Sequence, residues 1–175
     1  MNAKSTIHID RDHTIDGGAF KRALRGIAGS VSIVTSGLAP HRHGLTVTAA
    51  CSLSTDPSTA LVCINQAAGA HDTIRRTEAF GWNVLSADHK SLAERFAGMD
   101  GSKGDVRFDD SEWHRLETGA PILKSALCSF DCRVLCSFPV GTHTVFVGAV
   151  VAGTHRDELE ALIYRQGKFA TVHNI

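Results

Sequence analysis

The chain carries no excess charge of either sign: 18 Lys and Arg balance 18 Asp and Glu over 175 residues. Without a basic field, nothing draws it to a nucleic-acid backbone or an anionic membrane surface. No apolar run approaches the roughly 18 residues that a membrane-spanning helix needs. The polar opening, with Asp10, Asp12 and Asp16, lacks the apolar core of a secretory signal, so a cytoplasmic location is expected. The five cysteines are odd in number and include no Cys-x-x-Cys pair, which speaks against a disulfide framework or a thioredoxin motif. Walker A, His-Glu-x-x-His and Gly-x-Ser-x-Gly sequences are missing, and no Gly-x-Gly-x-x-Gly follows a strand. A Rossmann domain, a metal centre and a serine hydrolase therefore find no support. Internal repeats and linkers are also lacking.

What is present fits one domain. The length suffices for a substantial core, and 43% hydrophobic residues is ordinary for a globular chain. We divide it into a flexible segment over 1–17 and a domain over 18–175. Ala19, Phe20, Ala23, Leu24 and Ile27 recur at helical spacing, with Gly29 placed as a C-cap. Strands are expected over Val31–Ser36, Leu45–Leu53, Ala60–Asn65 and Ala79–Ser86. Two long ones follow, Ala126–Phe138 and Thr142–Thr154, joined at Pro139-Val140-Gly141. A last pair, Leu159–Arg165 and Lys168–Val172, turns at Gln166-Gly167. Short helices are expected near His71–Thr77 and Ser91–Ala97. Many strands, few helices and long hairpins argue for a mainly β fold, a closed barrel with peripheral helices.

Leu45 to Ser54 is the most telling stretch. At the period of two that a strand imposes, Leu45, Val47, Ala49, Cys51 and Leu53 form an apolar face. Thr46, Thr48, Ala50, Ser52 and Ser54 form a comb of short hydroxyls broken by one methyl, with no long charged side chain. Such a face admits a flat, hydrogen-bonding ligand, or is simply a Thr-rich strand. Cys128, Cys132 and Cys136 stand at metal-like spacing, yet with Phe130, Val134 and Phe138 they make one apolar strand face, and we read them as core. His41 and His43 flank Arg42 in a Pro-containing loop, which reads as a solvated turn. Gly98, Gly101 and Gly104, with Lys103 and Arg107, form either a phosphate cradle or a surface loop. His143 shares a strand face with Val145, Val147 and Ala149, as a hydrogen-bonded core group or as part of a site mouth.

Together these residues resemble the short-chain flavin reductases, NAD(P)H-dependent components that supply reduced flavin to two-component aromatic hydroxylases such as the 4-hydroxyphenylacetate 3-monooxygenase system. The similarity runs from about Phe20 to Val172. It rests on Phe20-Lys-Arg-Ala-Leu, Gly29-Ser-Val-Ser-Ile-Val-Thr35, Gly44-Leu-Thr-Val-Thr-Ala-Ala-Cys-Ser52 and Thr55-Asp-Pro57. Further markers are Leu61-Val-Cys-Ile-Asn65, Asn83-Val-Leu85, Phe96-Ala-Gly-Met99, Arg107-Phe108 with Trp113, Pro121-Ile-Leu-Lys124, Gly141-Thr-His143 and Ile163-Tyr164.

The resemblance implies an FMN-binding split β-barrel that forms a homodimer, with FMN or FAD in a groove near the subunit interface and NADH or NADPH as hydride donor. It implies flavin contacts from Thr46, Val47, Thr48, Ala49, Ala50, Cys51, Ser52 and Leu53, and from Phe96, Ala97, Gly98, Lys103 and Arg107. His143 matches the family histidine beside the nicotinamide. A partner monooxygenase would take the reduced flavin. The alternatives are a flavoprotein that keeps its flavin and reduces another acceptor, such as a cobalt corrinoid, and a non-catalytic flavin-binding module.

Overall fold

The computed structural model describes residues 14–157 and 159–172. Of the expected flexible segment 1–17, residues 1–13 lie outside this range. The chain begins with helix α1 (Gly17–Leu24), followed by β1 (Gly29–Ser30), β2 (Ser32–Ser36), β3 (His43–Val47), β4 (Ala50–Thr55) and β5 (Ser58–Asn65). Next come α2 (Gly69–Thr77), β6 (Ala79–Val84) and α3 (Lys90–Phe96). The short ribbon strands β7 (Trp113–Arg115) and β8 (Pro121–Leu123) precede the long pair β9 (Cys128–Val140) and β10 (His143–His155). A hairpin of β11 (Leu162–Arg165) and β12 (Lys168–Thr171) ends the fold.

Seven strands form one sheet in the order β3-β2-β6-β9-β10-β5-β4. Its two edge strands, β3 and β4, are consecutive in sequence and joined only through Thr48 and Ala49. That link spans on the order of 10 Å when extended, so the sheet must roll until its edges nearly meet. The result is the expected barrel, with a seam at Thr48–Ala49.

Val34, Val62, Ile64, Phe80, Cys132 and Phe146 fill the interior. A second core, with Val31, Ile33, Leu85, Phe96, Phe108, Trp113 and Leu123, lies outside the barrel wall under α3 and the β7–β8 ribbon. Strand β2 separates the two, so all five of its residues are buried. At their junction Asn83 is fully satisfied. Its amide donates to the Ile33 carbonyl and Thr35 Oγ1, and its oxygen accepts from the Leu123 N–H and Ser129 Oγ.

Several boundaries depart from the sequence reading. Helix α1 ends at Leu24 with Arg25 as C-cap, and Gly29 lies instead in β1, paired with Tyr164. Strand β9 continues through Pro139 and Val140, leaving a two-residue turn at Gly141–Thr142. The cysteine face is core only in its first half: Cys132 is buried, whereas Cys136 and Phe138 are exposed. The register explains the change, because Leu135 is an extra residue between Val134 and Cys136, opposite Gly148 and Val147. Gln166 and Gly167 both have positive φ (53° and 78°), the backbone of the expected two-residue hairpin turn.

Among the described residues, no helix is long and apolar enough to cross a membrane, and no cluster of His, Cys, Asp and Glu is arranged to hold a metal.

Candidate active site

The stretch Leu45–Leu53 is not one strand. The corner at Thr48–Ala49 breaks the alternation, so the inward residues are Val47 before it and Ala50 after it. Cys51 and Leu53 consequently face outward, and Leu53 is 54% exposed. The reading of Cys51 and Leu53 as core is corrected by that change of phase.

The hydroxyl comb divides in the same way. Thr46 Oγ1 donates to the Ala93 carbonyl at 2.7 Å, which fastens β3 to α3. Ser54 Oγ donates to the Asp56 carbonyl and accepts from its N–H, closing the β4–β5 turn. Thr48 and Ser52 remain exposed.

Beside the corner lies a cleft of about 560 Å3. Val31, Thr46, Val47 and Thr48 make one wall; Lys90, Glu94 and Ala97 of α3, followed by Met99, make the second. The third wall is the terminal hairpin, through Tyr164, Gly167, Lys168 and Phe169. The Tyr164 and Phe169 rings meet edge to face, their centroids 5.2 Å apart. Lys90 lies 3.8 Å from Glu94 one helical turn on, and Lys168 is exposed at the hairpin tip. Two ammonium groups against one carboxylate leave the cleft net cationic, suited to a phosphate-bearing ligand.

Of the expected flavin contacts, Thr46, Val47, Thr48 and Ala97 line this cleft, whereas Ala49, Ala50, Cys51, Ser52 and Leu53 continue along the barrel edge beyond it. The Phe96 ring is buried against Phe108 and Trp113, so only its main chain is available to a ligand.

The glycine loop is anchored at both ends. Arg107 Nε donates to the Ser102 carbonyl, and its Nη1 donates to the carbonyls of Gly44 and Phe96 at 3.1 and 3.0 Å. Gly98, at φ +79°, leaves room for Arg107 Nη2, which a β-carbon there would meet at 3.1 Å. On the other side the Arg42 guanidinium, stacked 4.8 Å over the Phe108 ring, holds Asp105 by two hydrogen bonds and Asp110 by one, and the Arg42 main-chain N–H donates a third to Asp105. That pairing lowers the Asp105 pKa and raises the Arg42 pKa. Lys103 is exposed on the loop so fixed.

His143 is exposed, which removes the core reading. Its Nδ1 lies 2.9 Å from Thr142 Oγ1, and Gln66 Nε2 donates to its carbonyl. Thr144, Phe146 and Gly148 point inward, so His143 shares the outer face with Val145, Val147 and Ala149 as expected. It does not line the cleft within one chain. His43 belongs to β3, its Nδ1 3.0 Å from Thr73 Oγ1, and not to a solvated turn.

Sequence reasoning missed Lys90, Glu94, Met99 and the hairpin residues. The Gln166-Gly167 turn signal was legible, but nothing in it told which wall the hairpin would face.

Comparison with known proteins follows the same lines. A family model described as "flavin reductase like domain" matches residues 24–173. The "FMN reductase (NADH) RutF 1" of Methylorubrum extorquens is 36% identical over 159 residues, 91% of this chain and 78% of its own length. BorF, the flavin reductase component of a bacterial two-component tryptophan halogenase, superposes with a TM-score of 0.83 at 30% identity, over 91% of this chain and all of its own. The Streptomyces globisporus NADH:FAD oxidoreductase SgcE6, solved with NAD and FAD fragments, gives 0.81 at 26% identity over 90% and 93%.

Proposed function

From a chain that belongs to the flavin reductase-like domain family, we infer that the cleft beside Thr46–Thr48 binds a flavin to be reduced by NADH or NADPH. The protein is an oxidoreductase of the NADH:flavin class, as its relatives are. The observation that carries the assignment to this site is the cleft itself, about 560 Å3 and walled by short hydroxyls, an aromatic pair and lysines. That volume lies within the roughly 300–1,000 Å3 common for small-molecule sites, and the lining fits a flat ring with a phosphate-bearing tail.

The flavin, when bound, supplies the ring that accepts hydride. The chain's part is to bind, orient and polarise. Thr48 and Ala97 are small enough to let a planar ring lie against the wall. Strand β4 is a sheet edge, so about half of its N–H groups point away from β5 without a ladder partner. The outward amides of β4 near Ala50–Ser52, with those of the Thr48–Ala49 corner before it, are suited to donate to a ring edge that gains negative charge on reduction. Lys90 and Lys168 on the cleft wall supply charge for the phosphate. Lys103, on the loop outside that lining, adds to it, and Arg107 fixes that loop. His143 orients the nicotinamide.

The active form is a homodimer. Across four adjacent strands, Cys51, Leu61, Val147 and Cys136 stand in one row of the outer barrel face, and Cys63, Val145 and Phe138 stand in the next. Leu53, Leu135 and Phe138 in and beside this patch are 54%, 59% and 43% exposed. A continuous apolar face of this kind marks a protein contact. In that dimer, as we read it, an outer-face residue such as His143 would serve a neighbour's cleft, since it does not line its own. Reduced flavin then leaves for a flavin-dependent oxygenase, a role supported by the two-component halogenase reductase among the similar structures.

Steady-state oxidation of NADH and of NADPH, with FMN, FAD and riboflavin supplied in turn, tests the reading. We expect flavin-dependent oxidation of at least one pyridine nucleotide. A protein that binds flavin tightly but oxidises neither would be a carrier and would overturn it.

A further inference from the structure

Among the described residues, two buried side-chain nitrogens have no hydrogen-bond partner in the chain: Trp113 Nε1 and His114 Nδ1. They are neighbours on β7, and both residues line a second cavity, of about 410 Å3, between the β7–β8 ribbon and the loop after β2. Trp113 is only 6% exposed. Buried donors are rarely left unpaired. Because successive strand side chains alternate faces, it is the Trp113 indole, on the same face of β7 as Arg115, that calls for a partner at this cavity. An indole N–H can only donate, so that partner carries an acceptor; the imidazole Nδ1 takes either role.

The rest of the wall narrows the class. Arg115, exposed at the rim, adds a cation. Arg42 and Asp110 also line the space, but each engages the other at 2.6 Å. Leu38, Ala39 and Pro121 give an apolar surface for a carbon skeleton. Both orphan nitrogens are shielded from bulk water, so a ligand must shift part of the wall to reach them. Leu38, 52% exposed, lines the same cavity and rests against Gly119.

We propose that this cavity, separate from the flavin cleft, binds a small organic carboxylate, its oxygens accepting from the Trp113 indole and facing Arg115. The two tryptophans give a direct readout. Trp82 Nε1 already donates to Ser32 Oγ at 3.0 Å and serves as the internal control. In a 1H–15N spectrum of the full chain without flavin, titration with benzoate should shift the Trp113 indole signal saturably and leave that of Trp82 in place. Arg115→Ala should weaken the midpoint about threefold, the scale of an exposed ion pair. Trp113→Phe, checked for an unchanged melting profile, should abolish benzoate binding measured by calorimetry.

No movement of the Trp113 signal at tens of millimolar benzoate overturns the proposal, as does a parallel, unsaturable drift of both indoles. An equal response to inorganic phosphate overturns the carboxylate class, because phosphate has no use for the apolar wall. A single trapped water is the remaining occupant, and it would show as a signal insensitive to every anion. None of these outcomes depends on flavin turnover.

Discussion

Gly29 stands against Thr48 with so little room that a β-carbon on the glycine would lie 2.9 Å from the threonine Cβ. Gly29 also pairs across β1 with Tyr164 of the hairpin wall. One residue therefore sets the gap between two walls of the cleft. Gly29→Ala should push Thr48 and the hairpin apart, at a cost of about 1–3 kcal/mol for overpacking. The expected result is a lower Tm with weaker flavin binding in a fluorescence-quenching titration. If both stay at wild-type values, the close approach does not shape the site.

Arg107 and Lys103 sit four residues apart on one loop yet should fail differently. Arg107 donates to three main-chain carbonyls, on β3, at the end of α3 and within the loop. Hydrogen bonds from a charged donor contribute roughly 1.5–3 kcal/mol each when buried, and less at this half-buried position. Arg107→Ala should cost on the order of 2–4 kcal/mol of stability and lose flavin affinity with it. Lys103→Ala should leave denaturant midpoints unchanged and weaken flavin affinity alone. An unaltered flavin Kd in the Lys103 variant would return that side chain to plain surface.

How much of this was legible before the structure follows from what short-range pattern encodes. The long hairpin of β9 and β10 and the turn at Gln166–Gly167 were readable because period-two hydrophobicity and positive-φ turn residues are local signals. The corner at Thr48–Ala49 was not, since Thr and Ala suit a continuing strand and the break is imposed by barrel closure. The outward turn of Cys136 was hidden for a similar reason: a bulge at Leu135 depends on the partner strand, not on the residue itself. For the site, the hydroxyls at Thr46 and Thr48 could be named in advance. The opposing Lys168 and Phe169 could not, because nothing about 120 residues away in sequence announces which wall it will meet.

His89 should make the stability of the fold depend on pH. Its Nδ1 accepts from the Ser86 N–H, and its Nε2 lies 3.0 Å from Ser125 Oγ. Acceptance at Nδ1 requires the neutral ring. Burial pushes its pKa below 6.5, followed by the weaker opposing pull of Asp88 and Glu112 and a small push from Arg156. A base with a depressed folded pKa binds its proton first in the unfolded chain, so stability rises with pH across that interval. It is fully present above 6.5 and is lost as pH falls through the lower folded value. The Ser86–His89 turn leads directly into α3, which carries Lys90 and Glu94. Melting curves from pH 7.5 to 5 should show a decline that His89→Gln flattens. An equal decline in both proteins would assign the acid sensitivity elsewhere.

His143 gives the sharpest test of the proposed dimer. Within one chain it lies on the outer barrel face, outside the cleft lining, beside the apolar row that ends in Phe138. If it orients the nicotinamide, it does so for the neighbour's cleft. His143→Ala should then lower kcat/KM for NADH by on the order of tenfold through lost positioning, with little change in flavin Kd. Phe138→Glu places a charge in the apolar patch and should yield a monomer by light scattering. That monomer keeps its own His143, yet its NADH turnover should fall at least as far as in His143→Ala, and adding His143→Ala to it should change nothing further. A monomer with full NADH turnover that still responds to His143→Ala would place the histidine at its own chain's cleft.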